Sequence, residues 1–383
     1  IIDRAIREDR PWQEITEDCE AVWWRAMDAI GVRRPDHAPH ATEYVAQMIA
    51  FITDLVELSK AYVTSDGVYL SVQDVPGYGL LAHQSLDDML AGGGEREIVG
   101  GSQKRIPADF ALWKFAKPGE PSWPAPWGDG RPGWHTECVV MSLDLLGEDF
   151  DIHGGGMDLA FPHHENERAQ AVAMGREFSR HWVHNGFVEV GGEKMSKSLG
   201  NFTNLIDLVE AHDPRAYRLL VLQAHYRSPV EVTTKTVQEA ESALARLDGV
   251  ARRAVDVASA EPDADVIAEF AAAMDDDLGT PQAMAIVFGL ATAQQRGLLL
   301  DADDPDAAAP LVAAFFDVLG ALGLELRDPS GDEVPDDVAA LATARDAARA
   351  DKDWATADAM RDQLVGLGWV VEDAAEGTQV RRP

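Results

Sequence analysis

The sequence predicts an α/β protein that continues into a helical bundle and ends in a small mixed α/β module. Three observations predict it. The run His153-Gly154-Gly155-Gly156 stands ahead of Pro162. That is the pattern of a strand ending in a glycine turn and feeding a proline-led helix. From Asp213 into the 320s, Ala and Leu recur at helical spacing with a break near Pro262. Beyond the linker Arg327-Asp328-Pro329-Ser330-Gly331-Asp332, two helices (about 336–349 and 353–365) precede a strand at Trp369-Val370-Val371.

The elements follow in order. Residues 1–58 read as helices, with Met48, Ile49, Ile52, Leu55 and Val56 on one helical face. Tyr62-Val63 and Val68-Tyr69-Leu70 flank Ser65-Asp66-Gly67, a β-hairpin signal. Residues 76–133 are rich in Gly and Pro and read as an insertion rather than a domain core, with one strand expected at Asp109–Lys114. Regular structure resumes near Trp134. Cys19 lies in a helical context and is expected to be packed.

Composition bounds the function. The chain has 383 residues, enough for two to four domains, and its 46% apolar content marks it as globular. It has no apolar run of membrane-spanning length and no secretory leader pattern. Two cysteines make no disulfide framework, so a reducing, cytoplasmic setting is expected. With 66 acidic against 33 basic residues, the formal net charge is −33. That excludes a general nucleic-acid coat, which needs Lys and Arg to neutralise phosphates. The acid is uneven, because residues 101–235 hold 14 Lys/Arg against 18 Asp/Glu. A nearly neutral middle inside an acidic chain is compatible with one specific anionic ligand.

The middle carries the chemistry. Gly191-Gly192-Glu193-Lys194-Met195-Ser196-Lys197-Ser198-Leu199-Gly200-Asn201 brings two lysines and two serines together between glycines. Glycine lets backbone approach a ligand, and lysine offers a mobile point charge for phosphate oxygens. The P-loop spacing is absent. Cys138 follows Trp134-His135-Thr136-Glu137, and His163 and Glu167 come later at an i,i+4 spacing that puts both on one helix face. Cys, His and Glu are all zinc ligands. Residues alone leave two readings open here: a metal site, or a buried thiol beside a helix-surface pair. His153-Gly154-Gly155-Gly156 with Asp158 similarly reads as a bare-backbone nucleotide seat with a ribose-binding carboxylate, or as a capped tight turn.

Lys194-Met195-Ser196-Lys197-Ser198 resembles the second signature of the class I aminoacyl-tRNA synthetases. The strings around Trp134–Cys138, Phe150–Leu159, Phe161–Glu167 and His184–Phe187 precede it in order, and together they resemble cysteinyl-tRNA synthetase. The resemblance implies a Rossmann-like class I catalytic domain with an insertion, a helical bundle and a C-terminal anticodon module. On it, residues 1–45 are the remainder of the first half of the nucleotide-binding domain and 46–122 the connective insertion. Residues 123–185 are the second half of the catalytic domain and 186–240 the Lys-Met-Ser-Lys-Ser loop and stem-contact region. Residues 241–326 are a helical tRNA-binding domain and 334–383 the anticodon module.

It further implies one zinc ion per chain, held by Cys138, His163 and Glu167. Trp134 and His153 would line the cysteine pocket. His153, Gly154, Gly155, Gly156 and Asp158 would hold ATP, and Lys194 and Lys197 would act on its phosphates. The expected partners are L-cysteine, ATP with Mg²⁺ and tRNA(Cys), with no membrane and a monomeric chain. Trp354, Asp358 and Arg361 in the tail would meet anticodon bases, with Arg345 and Arg349 nearby. Val380 stands where the family commonly has an aromatic, so the resemblance implies no base contact at that position.

In the family a fourth zinc ligand, a Cys, and a His-x-Gly-His signature belong to an N-terminal segment not contained here. The chain is therefore expected to be a truncated fragment that by itself neither adenylates cysteine nor fully holds zinc. The alternatives are a ligase joining cysteine to an amino sugar–inositol in mycothiol synthesis, and a non-catalytic tRNA- or zinc-binding paralogue.

Overall fold

A computed structural model describes residues 1–91, 103–190, 193–194, 204–251, 260–295, 305–327, 334–374 and 377–381. The chain divides into two compact units, Ile1–Leu208 with Tyr226–Thr233, and Val209–His225 with Thr234–Pro383.

The first unit opens with helices α1 (Ile2–Glu8), α2 (Trp12–Ala29) and α3 (Val45–Glu57). The apolar face read from the sequence is the one α3 buries, through Met48, Phe51, Ile52 and Leu55. Helix α2 buries only Ile15 and Ala26, so most of its surface faces out. Cys19 is therefore exposed rather than packed, with the Arg4 Nη1 donating to its sulfur at 3.4 Å.

Strands β1 (Ala61–Val63) and β2 (Gly67–Leu70) form the expected antiparallel hairpin. After α4 (Leu86–Ala91), strands β3 (Phe110–Phe115) and β4 (Gly130–Pro132) join it in a four-stranded sheet of order β1-β2-β3-β4. This corrects the reading of 76–133 as lying off the core. Phe110, Leu112 and Trp113 belong to the same buried cluster as α3 and the helices that follow, and Trp113 is 0% exposed. The physical reason is that β3 is covered on both faces, so its apolar side chains run nearly consecutively instead of alternating. Trp113→Ala is accordingly expected to cost about 3–5 kcal/mol of stability. Urea denaturation checks it, and a loss below about 1 kcal/mol would return the segment to the periphery.

Helix α5 (Trp134–Leu146) leads to β5 (Phe150–Gly156), then α6 (Glu165–Ala173) and β6 (Ser179–Asn185). Strands β5 and β6 pair in parallel, from Phe150 opposite Ser179 to Gly156 opposite Asn185. Parallel neighbours need a crossover, and α6 supplies it. Pro162 does not start the helix. The Phe161–Pro162 peptide is cis, Phe161 is extended (φ −139°), and α6 begins at Glu165. Strands β7 (Val188–Val190), β8 (Glu193–Lys194) and, later, β9 (Val230–Glu231) form a small sheet of order β8-β7-β9.

The second unit takes in the end of α7 (Leu205–Ala211), then α8 (Pro214–Leu222), α9 (Thr234–Ala251), α10 (Ala264–Asp275), α11 (Thr280–Gln295) and α12 (Pro305–Ala321). The bundle core is Leu219, Leu244, Leu247, Met284, Val287, Phe315 and Val318. Arg215 binds Asp248 with two parallel bonds of 2.9 Å and also reaches Asp213, tying α8 to α9. The tail pairs α13 (Asp336–Ala350) and α14 (Trp354–Gly366) with an antiparallel hairpin, β10 (Val370–Ala374) and β11 (Gly377–Arg381). Its core is Val338, Leu364 and Trp369. No described helix is long and apolar enough to cross a membrane.

Candidate active site

The site forms where β5 ends, between α5 and α6. Strand β5 delivers His153 and three glycines to its carboxyl end. That end of a parallel strand is where α/β folds bind ligands. Side chains crowd the backbone at two of the glycines. A Cβ on Gly155 would lie 3.0 Å from the His164 ring, and one on Gly156 would lie 2.6 Å from an Asp158 carboxylate oxygen. Asp158 follows in a short 3₁₀ turn and is exposed.

The N-terminal half of α5 and the entry into α6 meet here. Cys138 Sγ, a His163 ring nitrogen and a Glu167 carboxylate oxygen lie within 4.8 Å of one another. Glu167 is fully buried, and the Nε2 atoms of His163 and His153 approach its two oxygens at 2.6 and 2.8 Å. Neither approach has the geometry of a hydrogen bond, so a buried carboxylate is left short of proper partners. Burial alone would raise Glu167. The approaching His153 and His163 nitrogens outweigh it and hold the group ionised, at about 2. Burial, reinforced by the negative Glu167 and Glu137, pushes the Cys138 thiol up to about 12.

Further rings enclose this core. His163 Nδ1 lies 2.7 Å from His135 Nδ1, and Trp134 stacks on His163 with centroids 4.0 Å apart. His164 Nδ1 lies 2.8 Å from His184 Nε2. Burial, together with the charges of His153, His184 and His163, lowers His164 to about 4 against the opposing pull of Glu167. Its imidazole is neutral near pH 7. His153, His164 and Glu167 form a second close group that shares Glu167 with the first.

The donor set fits a zinc ion. A thiol, an imidazole and a carboxylate converge with one undersatisfied anion at their centre, and a metal would convert the neutral thiol to a thiolate ligand. His163 already has a partner on its other ring nitrogen, which is how a ligating histidine is held in orientation. Trp134 and His153, expected around a substrate pocket, flank the group, and Trp134 remains 56% exposed.

The other expected residues are placed as follows. Lys194 lies on β8, with its backbone opposite Glu189. Lys197 lies outside the described residues. Trp354, Asp358 and Arg361 follow one another along one face of α14, and all three are exposed. Arg345 departs from the expectation. It is 5% exposed and donates to Thr378 Oγ1 at 2.6 Å, a bond that joins α13 to β11 inside the tail. Sequence reasoning assigned no role to His135, His164 and His184. The available signal was density: six of the 11 histidines fall between His135 and His184.

Comparison with known proteins agrees with this architecture. Residues 1–242 match the catalytic domain of class I tRNA synthetases of the cysteine type. Residues 269–326 match a DALR domain, and residues 331–381 match the cysteinyl-tRNA ligase anticodon binding domain. The cysteine–tRNA ligase of Streptomyces avermitilis is 46% identical over 390 residues, covering 98% of this chain and 82% of that protein. That of Alkalilimnicola ehrlichii is 44% identical over 394 residues, covering 100% and 84%. Methionyl-tRNA synthetase of Mycobacterium tuberculosis with methionyl-adenylate aligns with a TM-score of 0.56 at 15% identity, over 84% of this chain and 79% of that one, a likeness of fold. The fold is that of a class I aminoacyl-tRNA synthetase. Within that class, the chain belongs to the cysteinyl-tRNA ligase family.

Proposed function

We propose that the chain activates L-cysteine with ATP and transfers it to tRNA(Cys). The observation that carries this is the length of the family match, which runs from the catalytic domain through the anticodon-binding domain. A ligase acting on a small amino sugar has no use for the second.

The residues divide the work. The bare backbone of Gly154–Gly156 seats the adenosine, and exposed Asp158 accepts a hydrogen bond from the ribose. The cysteine carboxylate attacks the α-phosphate and pyrophosphate leaves. Little proton chemistry is needed, so catalysis consists of positioning and of stabilising phosphate charge. Lys197 and Lys194 supply that charge. Trp134 and His153 wall the amino-acid pocket. Cys138, His163 and Glu167 would hold one zinc ion, which when bound prefers a soft thiolate over a hydroxyl and so separates cysteine from serine. Shape alone discriminates poorly between such close analogues. ATP enters as its magnesium complex, and the reducing interior of the cell keeps Cys138 free to ligate.

The tail supplies base contacts. Trp354 offers a stacking face to an unpaired base, with Asp358 and Arg361 beside it for edge hydrogen bonds. Removing residues 334–383 is expected to leave cysteine-dependent pyrophosphate exchange within about threefold of the parent. Charging of tRNA(Cys) is expected to fall by at least about tenfold, since each lost base stack is worth about 1–3 kcal/mol. Both are measured on the full-length protein, alongside condensation of cysteine with an amino sugar–inositol acceptor. Equal charging with and without the tail, or product only with the sugar acceptor, would overturn the tRNA reading.

A further inference from the structure

Helix α6 is held from the side facing away from the metal group. Its first turn carries three consecutive buried polar residues, Glu165, Asn166 and Glu167, exposed by 0%, 2% and 0%. No side chain caps this turn. Only Glu167 belongs to the converging donors. The other two reach in another direction, to the loop 77–81 of the insertion. The Tyr78 hydroxyl donates to Asn166 Oδ1 at 2.7 Å, and the Leu81 backbone N–H donates to Glu165 Oε2 at 2.8 Å. Arg168 closes the group. Its Nη1 donates to the Gly77 carbonyl at 3.0 Å and lies 3.5 Å from Glu165 Oε1. Gly77 and Gly79 have φ of +67° and +97°, so the loop follows a left-handed path suited to glycine.

The bonding continues toward Cys138. Gln170 Nε2 donates to the Asn166 carbonyl at 3.1 Å, and Thr136 Oγ1 donates to Gln170 Oε1 at 2.9 Å. Thr136 stands on α5, two residues before Cys138. A continuous path of hydrogen bonds thus runs from Tyr78 through Asn166 and Gln170 to the helix bearing the thiol. Both ligand-bearing helices are joined by it.

We propose that the 77–81 loop, with Tyr78 at its centre, is a brace that sets the orientation of Glu167 and His163 toward the metal, making Tyr78 a positioning residue for cysteine selection. The physical reason is short-range. Asn166 immediately precedes Glu167, and α6 has nine residues with irregular backbone before it. The single helical turn that precedes it, Ala160–His164, is interrupted at extended Phe161, so no continuous helix on its N-terminal side resists rotation of the first turn. A buried amide that loses its partner costs about 1–3 kcal/mol, and the turn relieves that cost by shifting. A shift there moves the Glu167 carboxylate, and supporting hydrogen bonds of this kind typically govern about 10–100-fold in metal affinity.

The inference rests on reading Cys138, His163 and Glu167 as a zinc centre, and its test separates the two. In the full-length protein, zinc affinity is measured by competition with a chromophoric chelator for the parent, Tyr78→Phe, Asn166→Ala and the double variant. Each single variant is expected to lose about 10-fold or more in affinity, and the double variant no more than either alone, because one bond is being removed twice. The cobalt-substituted proteins add a structural readout. The thiolate-to-metal absorption of Tyr78→Phe is expected to shift while its unfolding remains a single cooperative transition. The KM for cysteine is expected to rise about tenfold while that for ATP stays within twofold. Affinity of Tyr78→Phe within twofold of the parent, or losses that simply add in the double variant, would overturn the brace alone. A parent that takes up no zinc would remove the metal reading, and the brace with it.

Discussion

In the full-length protein, Cys138→Ser is expected to lower bound zinc from an expected one equivalent per chain to well below a tenth of an equivalent after dialysis, measured by elemental analysis. Serine is the smallest change that tests the point. It keeps the shape of the side chain and removes the soft donor, because a hydroxyl stays protonated where a metal-bound thiol ionises. The loss exceeds the ~10–100-fold attached to a supporting hydrogen bond. It also strips the partly buried group of its reason to be there. Glu167 would then be a buried carboxylate with only the misaligned nitrogens of His163 and His153 beside it. Cys19→Ser is the control: Cys19 is exposed on α2, distant in the chain from every donor, and its loss should leave the metal in place. Stoichiometric zinc in Cys138→Ser would take that residue out of the ligand set.

What could be read from the sequence was what is local. Helical spacing on Met48, Ile52 and Leu55 is enough to find α3 and its buried face, because period and burial are properties of a few turns. The Ser65-Asp66-Gly67 hairpin is local in the same sense. His163 and Glu167 lie four residues apart, so their proximity survives even though the helix starts at Glu165 and not at Pro162. Cys138 could be grouped with them from residues alone only as one of two open readings, because a separation of 25 positions carries no distance information.

What could not be read was set by distant pairing. Tyr78 and Asn166 are 88 residues apart, and neither has a neighbour that announces the other. Arg345 sits in a helix of alternating charge that looks solvated, yet Thr378, 33 residues away, draws it into the tail core. Segment 76–133 was misread because glycine and proline dominate its composition. The few residues that matter for packing, Phe110, Leu112 and Trp113, are buried by partners elsewhere in the chain.

Lys197→Ala is expected to reduce cysteine-dependent pyrophosphate exchange by about 10²–10³-fold, the usual cost of removing one preorganised group that meets charge developing in a transition state. The expectation comes from the residues themselves. Lys197 is flanked by Ser196 and Ser198 between Gly191-Gly192 and Gly200, in a chain whose net charge is −33. A cation kept near phosphate in so acidic a protein does work that the surrounding field opposes. The loss should fall on kcat with the KM for cysteine nearly unchanged, since the proposed amino-acid pocket draws on Trp134, His153 and the candidate metal donors around β5. Lys194→Ala separates the two lysines. Its backbone is paired in β8 opposite Glu189, and its loss is expected to be smaller than that of Lys197. A Lys197→Ala protein that exchanges pyrophosphate within about threefold of the parent would make the loop a bystander. A variant that instead loses cysteine binding with kcat intact would place the loop in the amino-acid pocket and overturn the division of labour proposed between the two halves of the site.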